Sequence, residues 1–309
     1  MKLNPILQKE LKMGSRTIKL PIILILYNLI LSCVAILLLS SVQNQLERGF
    51  GLLYDELISI FYILGWIQFV IVCFMIPILT ASSISGERER QTLDMMLTTS
   101  ISPLKIVMGK LTASMCTICL LVVSSIPILS IAFLLGGMNW GVVLYFIVIL
   151  IVVGIFVGSI GIFFSSLIKK TPTAIVLTFL VGGILMIGTV LLFPFIKILY
   201  QNFAYSAISD SVPQLDIRWA SLLMLWNPAI LFADFMQKSS GREGITSYMV
   251  ELFGCTPNGR LVTFAEHWWI GISIVLQLSL TIFFLWGATR ALDPQKSSYT
   301  RNTNVKNKE

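Results

Sequence analysis

Residues 111–167 contain no charged side chain, and this stretch restricts the possible folds more than any other feature of the chain. One membrane-spanning helix needs only about 20 apolar residues, so the stretch is too long for a single span. Gly136, Gly137 and Asn139 lie near its middle and favour a tight turn. The stretch therefore predicts two transmembrane helices joined by a short connection.

The composition agrees with a chain that lies mostly in lipid. Hydrophobic residues make up 56% and charged residues 12%, with a mean hydropathy of +0.87. Soluble domains are about a quarter charged. This composition excludes a soluble enzyme and a disordered chain. It also excludes a nucleic-acid partner despite the net charge of +7, and it makes membrane lipid the expected surroundings.

Six segments are apolar and long enough to cross a bilayer, which predicts an all-α integral membrane protein. The first is too long for the apolar part of a signal peptide, so we expect it to remain in the mature protein. The polar stretch after Asp293-Pro294 predicts a disordered cytoplasmic tail over 291–309. The predicted spans are 20–42, 57–84, 106–135, 140–168, 172–196 and 268–290.

Lys and Arg residues concentrate on one side of these spans. They lie in the N-terminal tail, around 86–110, at Lys169-Lys170 and after Ala291. Cytoplasmic loops carry such an excess, so both termini are predicted to be cytoplasmic. The long segment 197–267 then lies outside. Within it, Asn227-Pro228 interrupts an apolar stretch, which favours an interfacial or re-entrant helix pair.

The connection between the second and third spans predicts an amphipathic helix over 86–98. Leu93, Met96 and Leu97 recur at the spacing of one helix face. Ser102 is a suitable N-cap residue, and Pro103 suits the first helical position of the next span. We expect this helix to lie on the cytoplasmic membrane face. The alternative interpretation is a solvated connector with a run of charges.

The segment 86–105 resembles the signature of type-2 ABC transporter permeases. Gln91 and Ser100 depart from that signature, because the family usually has Gly and Pro there. The N-terminal segment 1–19 is similar to the family's amphipathic elbow helix, and an outer helical segment between the last two spans is also similar. The residues that match the signature in type and spacing are Glu87, Glu89, Thr92, Leu93, Asp94, Met96 and Leu97.

The resemblance implies a non-catalytic permease subunit of an ATP-driven transporter, an exporter in a bacterial cell membrane. The sequence has no G-x-x-x-x-G-K-[ST] phosphate loop, so ATP and Mg are expected in a partner ATPase chain and no cofactor in this one. A second permease, identical or different, would complete the path. The implied ATPase-coupling residues are Glu87, Arg88, Glu89, Thr92, Leu93, Asp94, Met96 and Leu97.

The second span carries an aromatic and polar stripe. In the family the second and fifth spans line the translocation path, so the stripe resembles a substrate wall. A lipid-facing or core stripe is the alternative interpretation. The residues assigned to the path are Tyr62, Trp66, Gln68 and Phe69.

Small residues predict where helices approach closely. Gly154, Gly158 and Gly161 share one face of the fourth span, and we assign them to packing within the subunit, with dimer contact as the alternative. Pro127 is expected to kink the third span. Gly182-Gly183 and Gly188 are expected to loosen the fifth.

Two other functions remain open at this stage. A membrane-embedded hydrolase or lipid-modifying transferase would need a nucleophile, a base or metal ligands, and His267 beside Glu266 is the one weak candidate. No metal site is predicted. A stand-alone channel or secondary carrier is the other alternative. The absence of ionisable residues deep in the predicted spans counts against a proton- or sodium-coupled carrier.

Overall fold

The computed structural model describes residues 5–47, 54–98, 101–135, 139–207, 224–241, 244 and 260–292. Every regular element in this part of the chain is helical, which confirms the all-α prediction. The helices are α1 (Pro5–Arg16), α2 (Lys19–Glu47), α3 (Tyr54–Glu89), α4 (Thr92–Leu97), α5 (Pro103–Ser124), α6 (Ile126–Leu135), α7 (Trp140–Leu167), α8 (Thr171–Gly183), α9 (Thr189–Ala207), α10 (Pro228–Ser239) and α11 (Arg260–Ala291).

Six membrane-spanning stretches are present in the described residues, as predicted, so the chain is a multi-pass membrane protein. Their bounds differ from the sequence-based ones by a few residues at most ends: the second span continues to Glu89 rather than 84, and the third ends at Ile131 rather than 135. The spans are Leu20–Asn44, Leu57–Glu89, Pro103–Ile131, Trp140–Leu167, Thr171–Ile196 and Trp268–Ala291.

Two spans depart from a straight helix. The third divides at Ser125 into α5 and α6, two residues before Pro127, because proline cannot donate the backbone hydrogen bond that would continue α5. The fifth contains a π-helical turn at Ile184–Gly188 between α8 and α9. By contrast, α3 continues through Pro77 without a break.

The fourth span, α7, forms the centre of the bundle. It is 67% buried over its most apolar stretch, whereas the fifth span is 6% buried. Helices α3, α5, α8 and α11 pack around α7. The fifth span therefore lies at the periphery and leaves most of its apolar surface uncovered within this chain.

Glycines on α7 allow this close packing. A Cβ at Gly161 would overlap the Thr80 hydroxyl of α3, so only glycine permits the observed approach. At Gly158 it would lie 3.0 Å from Met115 of α5, and at Gly154 it would lie 3.5 Å from Ile76. All three glycines face helices of the same chain.

Helix α10 lies beside the bundle at the end where α3 begins. Its Phe232 stacks on Phe69 with ring centroids 4.3 Å apart, and Met236 packs against Gly65. Because Gly65 and Phe69 belong to the second span, α10 lies within the thickness of the span bundle. Helices also occupy both ends of the predicted outer segment 197–267, since α9 reaches Ala207 and α11 begins at Arg260. The predicted tail lies outside the described residues from 293 onward.

Candidate functional site

The junction between α3 and α4, residues 86–98, is the segment that carries the permease signature. The structure divides the predicted helix 86–98, because α3 extends to Glu89 and α4 covers Thr92–Leu97. Between them Gln91 has φ 57°, a left-handed conformation that ends one helix and reorients the chain before the next. The Thr92 hydroxyl donates to the Glu87 carbonyl at 3.1 Å and closes the turn.

The carboxylate of Glu87 faces the bundle rather than solvent. The Lys110 ammonium of α5 donates to Glu87 Oε1 at 2.7 Å and also pairs with Glu10 of α1. Lys110 is 4% exposed, so this is a buried charge with two carboxylate partners. The cluster joins α1, α3 and α5 at one end of the bundle, which we call the basic end because it also carries Lys169 and Lys170.

The neighbouring residues Arg88 and Glu89 bind the ends of two other helices. Arg88 Nη2 donates to the Ser166 carbonyl at 2.9 Å, at the C-terminal end of α7. Glu89 Oε1 accepts from the Thr171 backbone N–H at 2.8 Å, at the first residue of α8. Helix C-termini favour cations and N-termini favour anions, so each charge lies at the end that it stabilises.

Helix α4 has one face against the bundle and one face exposed. Leu93 is buried at 3% exposure, and Met96 and Leu97 are half-buried, so the apolar stripe predicted from sequence packs inward. The exposed face carries Asp94 and Met95, and Met95 is 73% exposed. The exposed face of α4 therefore combines an apolar and an acidic side chain.

The residues predicted to line a path lie in an aromatic cluster at the other end of the bundle. Phe69 is buried, and Trp66 contacts both Phe69 and Phe232 edge to face, with centroids 5.7 and 5.2 Å apart. Tyr62 packs against Trp66. Gln68 is fully buried, and its amide makes no hydrogen bond with described residues. In this conformation α10 therefore covers the stripe.

Asn227 attaches α10 to the fifth span. Its Oδ1 accepts from the Ala229 backbone N–H at 2.7 Å and caps α10. Its Nδ2 donates to the Met186 carbonyl at 2.8 Å and to Thr189 Oγ1 at 2.6 Å, both at the π-helical turn. One fully buried side chain thus joins the start of α10 to the irregular part of the fifth span.

Sequence reasoning did not find several of these residues. Lys110 and Glu10 are 100 positions apart, and neither forms a motif with Glu87. Asp234 is fully buried beside Lys238, with a 2.9 Å ion pair, although it lies between the predicted spans. The spacing of Asp234 and Lys238, four residues apart in a helix, was the available signal.

The described residues contain no group of three or more His, Cys, Asp or Glu side chains that could hold a metal ion. The junction is a point of attachment between helices. It joins the turn at Gln91 to α1, α5, α7 and α8 through charged side chains at helix ends.

Comparison with known proteins agrees with the signature. Residues 4–258 match the family described as ABC-2 family transporter protein. The matched range covers most of the chain and includes the junction. No curated protein matches the chain.

Proposed function

Because the chain belongs to the ABC-2 family of transporter proteins, we propose that it is the non-catalytic, membrane-spanning subunit of an ATP-driven exporter. ATP and Mg bind to a separate ATPase chain. That chain acts on the permease through the α3–α4 junction. The observation that supports this mechanism best is that three consecutive charged residues of the junction contact three other helices, α5, α7 and α8, and that Lys110 extends the first contact to Glu10 of α1.

Movement of α4 reaches the bundle through these contacts. Glu87 connects it to α1 and α5, Arg88 to the end of α7, and Glu89 to the start of α8. Charge-assisted hydrogen bonds are shorter and stronger than neutral ones, so these contacts hold the last turn of α3 to its neighbours. A force on α4 therefore acts on the central and the peripheral spans together.

The exposed face of α4 is the surface for the ATPase. Met95 supplies an apolar anchor, and the exposed acidic residue Asp94 precedes it in α4. Small apolar anchors with a polar surround dominate many protein interfaces. Within the predicted coupling set, Glu87, Arg88, Glu89 and Leu93 then position α4, whereas Thr92 and Asp94 contact the partner.

The basic end of the bundle faces the cytoplasm in this proposal. Lys9, Lys12, Lys105 and the pair at 169–170 lie at that end, as the positive-inside rule requires. The N-terminus and the C-terminus are then cytoplasmic in a bacterial cell membrane. The weakly buried fifth span offers a surface for a second permease, identical or different, and the remaining apolar surface contacts lipid.

A single substitution on α4 tests the proposal. Met95→Asp should reduce the amount of ATPase that co-purifies with the chain by about tenfold, because a desolvated apolar anchor is worth 1–2 kcal/mol or more. The melting temperature of the permease should not change, since Met95 is 73% exposed.

Met95→Leu is the matched control and should retain the ATPase, because it keeps an apolar side chain of similar size. Retention of the ATPase by Met95→Asp at the level of the unsubstituted chain would disprove the assigned surface. A permease with which no phosphate-loop ATPase co-purifies would disprove the proposed function itself.

A further inference from the structure

A cavity of about 860 Å³ lies at the basic end between α1, α3 and α5. Its polar wall includes Glu87, Glu89 and Lys110, which also make the proposed coupling contacts, but that mechanism assigns no ligand to the cavity. Its size falls within the range of small-molecule sites, about 300–1,000 Å³. The charged residues and the helix end around it are Glu10, Glu87, Glu89, Arg90, Lys110 and Thr171.

The cavity is as deep as one leaflet of a bilayer. On α5 its lining extends from Lys110 to Leu120, and on α3 it extends from Glu89 to Leu79. At a rise of 1.5 Å per residue each run covers about 15 Å. The hydrocarbon core is about 30 Å thick, so about 15 Å corresponds to a single leaflet.

The polarity of the wall changes along this depth. The charged residues occupy the basic end, whereas Leu79, Ala113 and Leu120 line the deeper part. Arg90 and Leu120, at the two ends, are both exposed, so the cavity is open to its surroundings. A molecule that fills it must have a polar head and an apolar tail.

The polar part of the wall is rich in hydrogen-bond acceptors. Ser82, Ser83 and Ser114 each donate their hydroxyl hydrogen to a backbone carbonyl of their own helix, which leaves oxygen lone pairs for a ligand. Three carboxylates and two cations line the cavity. Such a wall favours a ligand with several N–H donors.

We propose that this cavity binds one phospholipid with a primary ammonium headgroup, taken from the leaflet at the basic end. The phosphate binds Arg90, whose guanidinium makes no side-chain hydrogen bond or ion pair with the described residues. The ammonium binds the exposed carboxylate of Glu89. An acyl chain lies along Leu79 and Leu120.

The headgroup preference follows from the same contacts. A choline headgroup has no N–H donors, so it cannot satisfy the acceptor-rich wall. A glycerol headgroup leaves the lipid anionic, next to three carboxylates. Phosphatidylethanolamine carries both the phosphate and the ammonium.

Native mass spectrometry of the purified full chain tests the site, with phosphatidylethanolamine, phosphatidylglycerol and phosphatidylcholine added at equal concentration. We expect one phosphatidylethanolamine retained per chain. Thr117→Leu, which adds volume inside the cavity, should lower this occupancy by about tenfold. Arg90→Gln should lower it by a similar factor, since it removes a charge-assisted contact to phosphate.

Two matched variants control for loss of fold and charge. Thr112→Leu alters an exposed threonine of the same helix outside the cavity, and Arg290→Gln removes a cation stacked on Trp286 at the end of α11. Both should retain the lipid. Three outcomes would each overturn the proposal. The first is a Thr117→Leu chain that retains as much lipid as the unsubstituted chain, and the second is an unsubstituted chain that retains no lipid. The third is retention of phosphatidylglycerol or phosphatidylcholine as strong as that of phosphatidylethanolamine. No ATPase is present, so the result is independent of the coupling test.

Discussion

Gln91 holds a backbone conformation that residues with a Cβ avoid. With φ 57°, it is the only non-glycine residue in the described ranges with a positive φ. The left-handed conformation costs roughly 1–2 kcal/mol for an L-residue. It occurs where α3 must end and α4 must begin, so the strain lies in the segment that we propose the ATPase moves.

Replacement by glycine should release this strain. Gln91→Gly is expected to raise the free energy of unfolding by about 0.5–1 kcal/mol, because glycine adopts a positive φ without a steric cost, partly offset by its greater freedom when unfolded. Thermal unfolding in detergent measures the change.

Gln43→Gly is the control, at an exposed glutamine inside α2. It should lower stability by about 0.5–1 kcal/mol, since glycine weakens a helix interior. If both substitutions destabilise the protein equally, the left-handed conformation of Gln91 is contradicted.

At the scale of elements, helix α10 depends on a single polar side chain. Asn227 caps its first turn and holds it to the π-helical turn of the fifth span. The same helix covers Trp66 and Phe69. Asn227 therefore helps to hold α10 over the aromatic stripe of α3, together with the contacts of Phe232 and Met236.

Removal of this side chain should loosen α10. Asn227→Ala is expected to lower the free energy of unfolding by about 2–3 kcal/mol, because it removes an N-cap and also removes the donor to the partly buried Met186 carbonyl. Hydrogen exchange over Pro228–Ser239 should increase in the same variant.

Asn139 provides the comparison, because it caps α7 from an exposed position and accepts from the Gly141 backbone N–H. Asn139→Ala should cost only about 1 kcal/mol. Equal losses at Asn139 and Asn227 would show that the contacts with the fifth span contribute nothing.

At the scale of the whole molecule, the buried cluster around Lys110 joins parts of the chain that are distant in sequence. Glu10 and Glu87 come from α1 and α3, and both pair with the ammonium. Lys110→Met leaves two carboxylates without a cation, which should lower the free energy of unfolding by about 3–5 kcal/mol. Thermal unfolding and hydrogen exchange over α1 measure the loss.

A combined variant separates packing from charge. Lys110→Met together with Glu10→Leu and Glu87→Leu should recover most of the stability, because an apolar cluster of similar volume is often as stable as a buried ion pair. Lys9→Met, at an exposed lysine of α1, should change stability by no more than about 0.5 kcal/mol. A triple variant as unstable as the single one would contradict a purely electrostatic loss.

The number of spans was predictable from sequence, because a charge-free run of sufficient length has no stable alternative to a helix across a bilayer. The position of the α4 helix was also predictable, since Leu93, Met96 and Leu97 recur at helical spacing. The division of 86–98 at Gln91 was not, because glutamine has no intrinsic preference for a left-handed conformation.

The sequence by itself determined that the described part of this chain has six helices long and apolar enough to cross a membrane, and that the chain carries a permease signature, since both depend on residues close together in the chain. Only the tertiary structure decided where the charges of that signature point. Glu87, Arg88 and Glu89 are adjacent in sequence, yet each contacts a different helix. The partner of Glu87 lies 23 residues away in sequence, that of Arg88 78 residues away and that of Glu89 82 residues away. Such pairings arise when helices pack, so no local pattern records them.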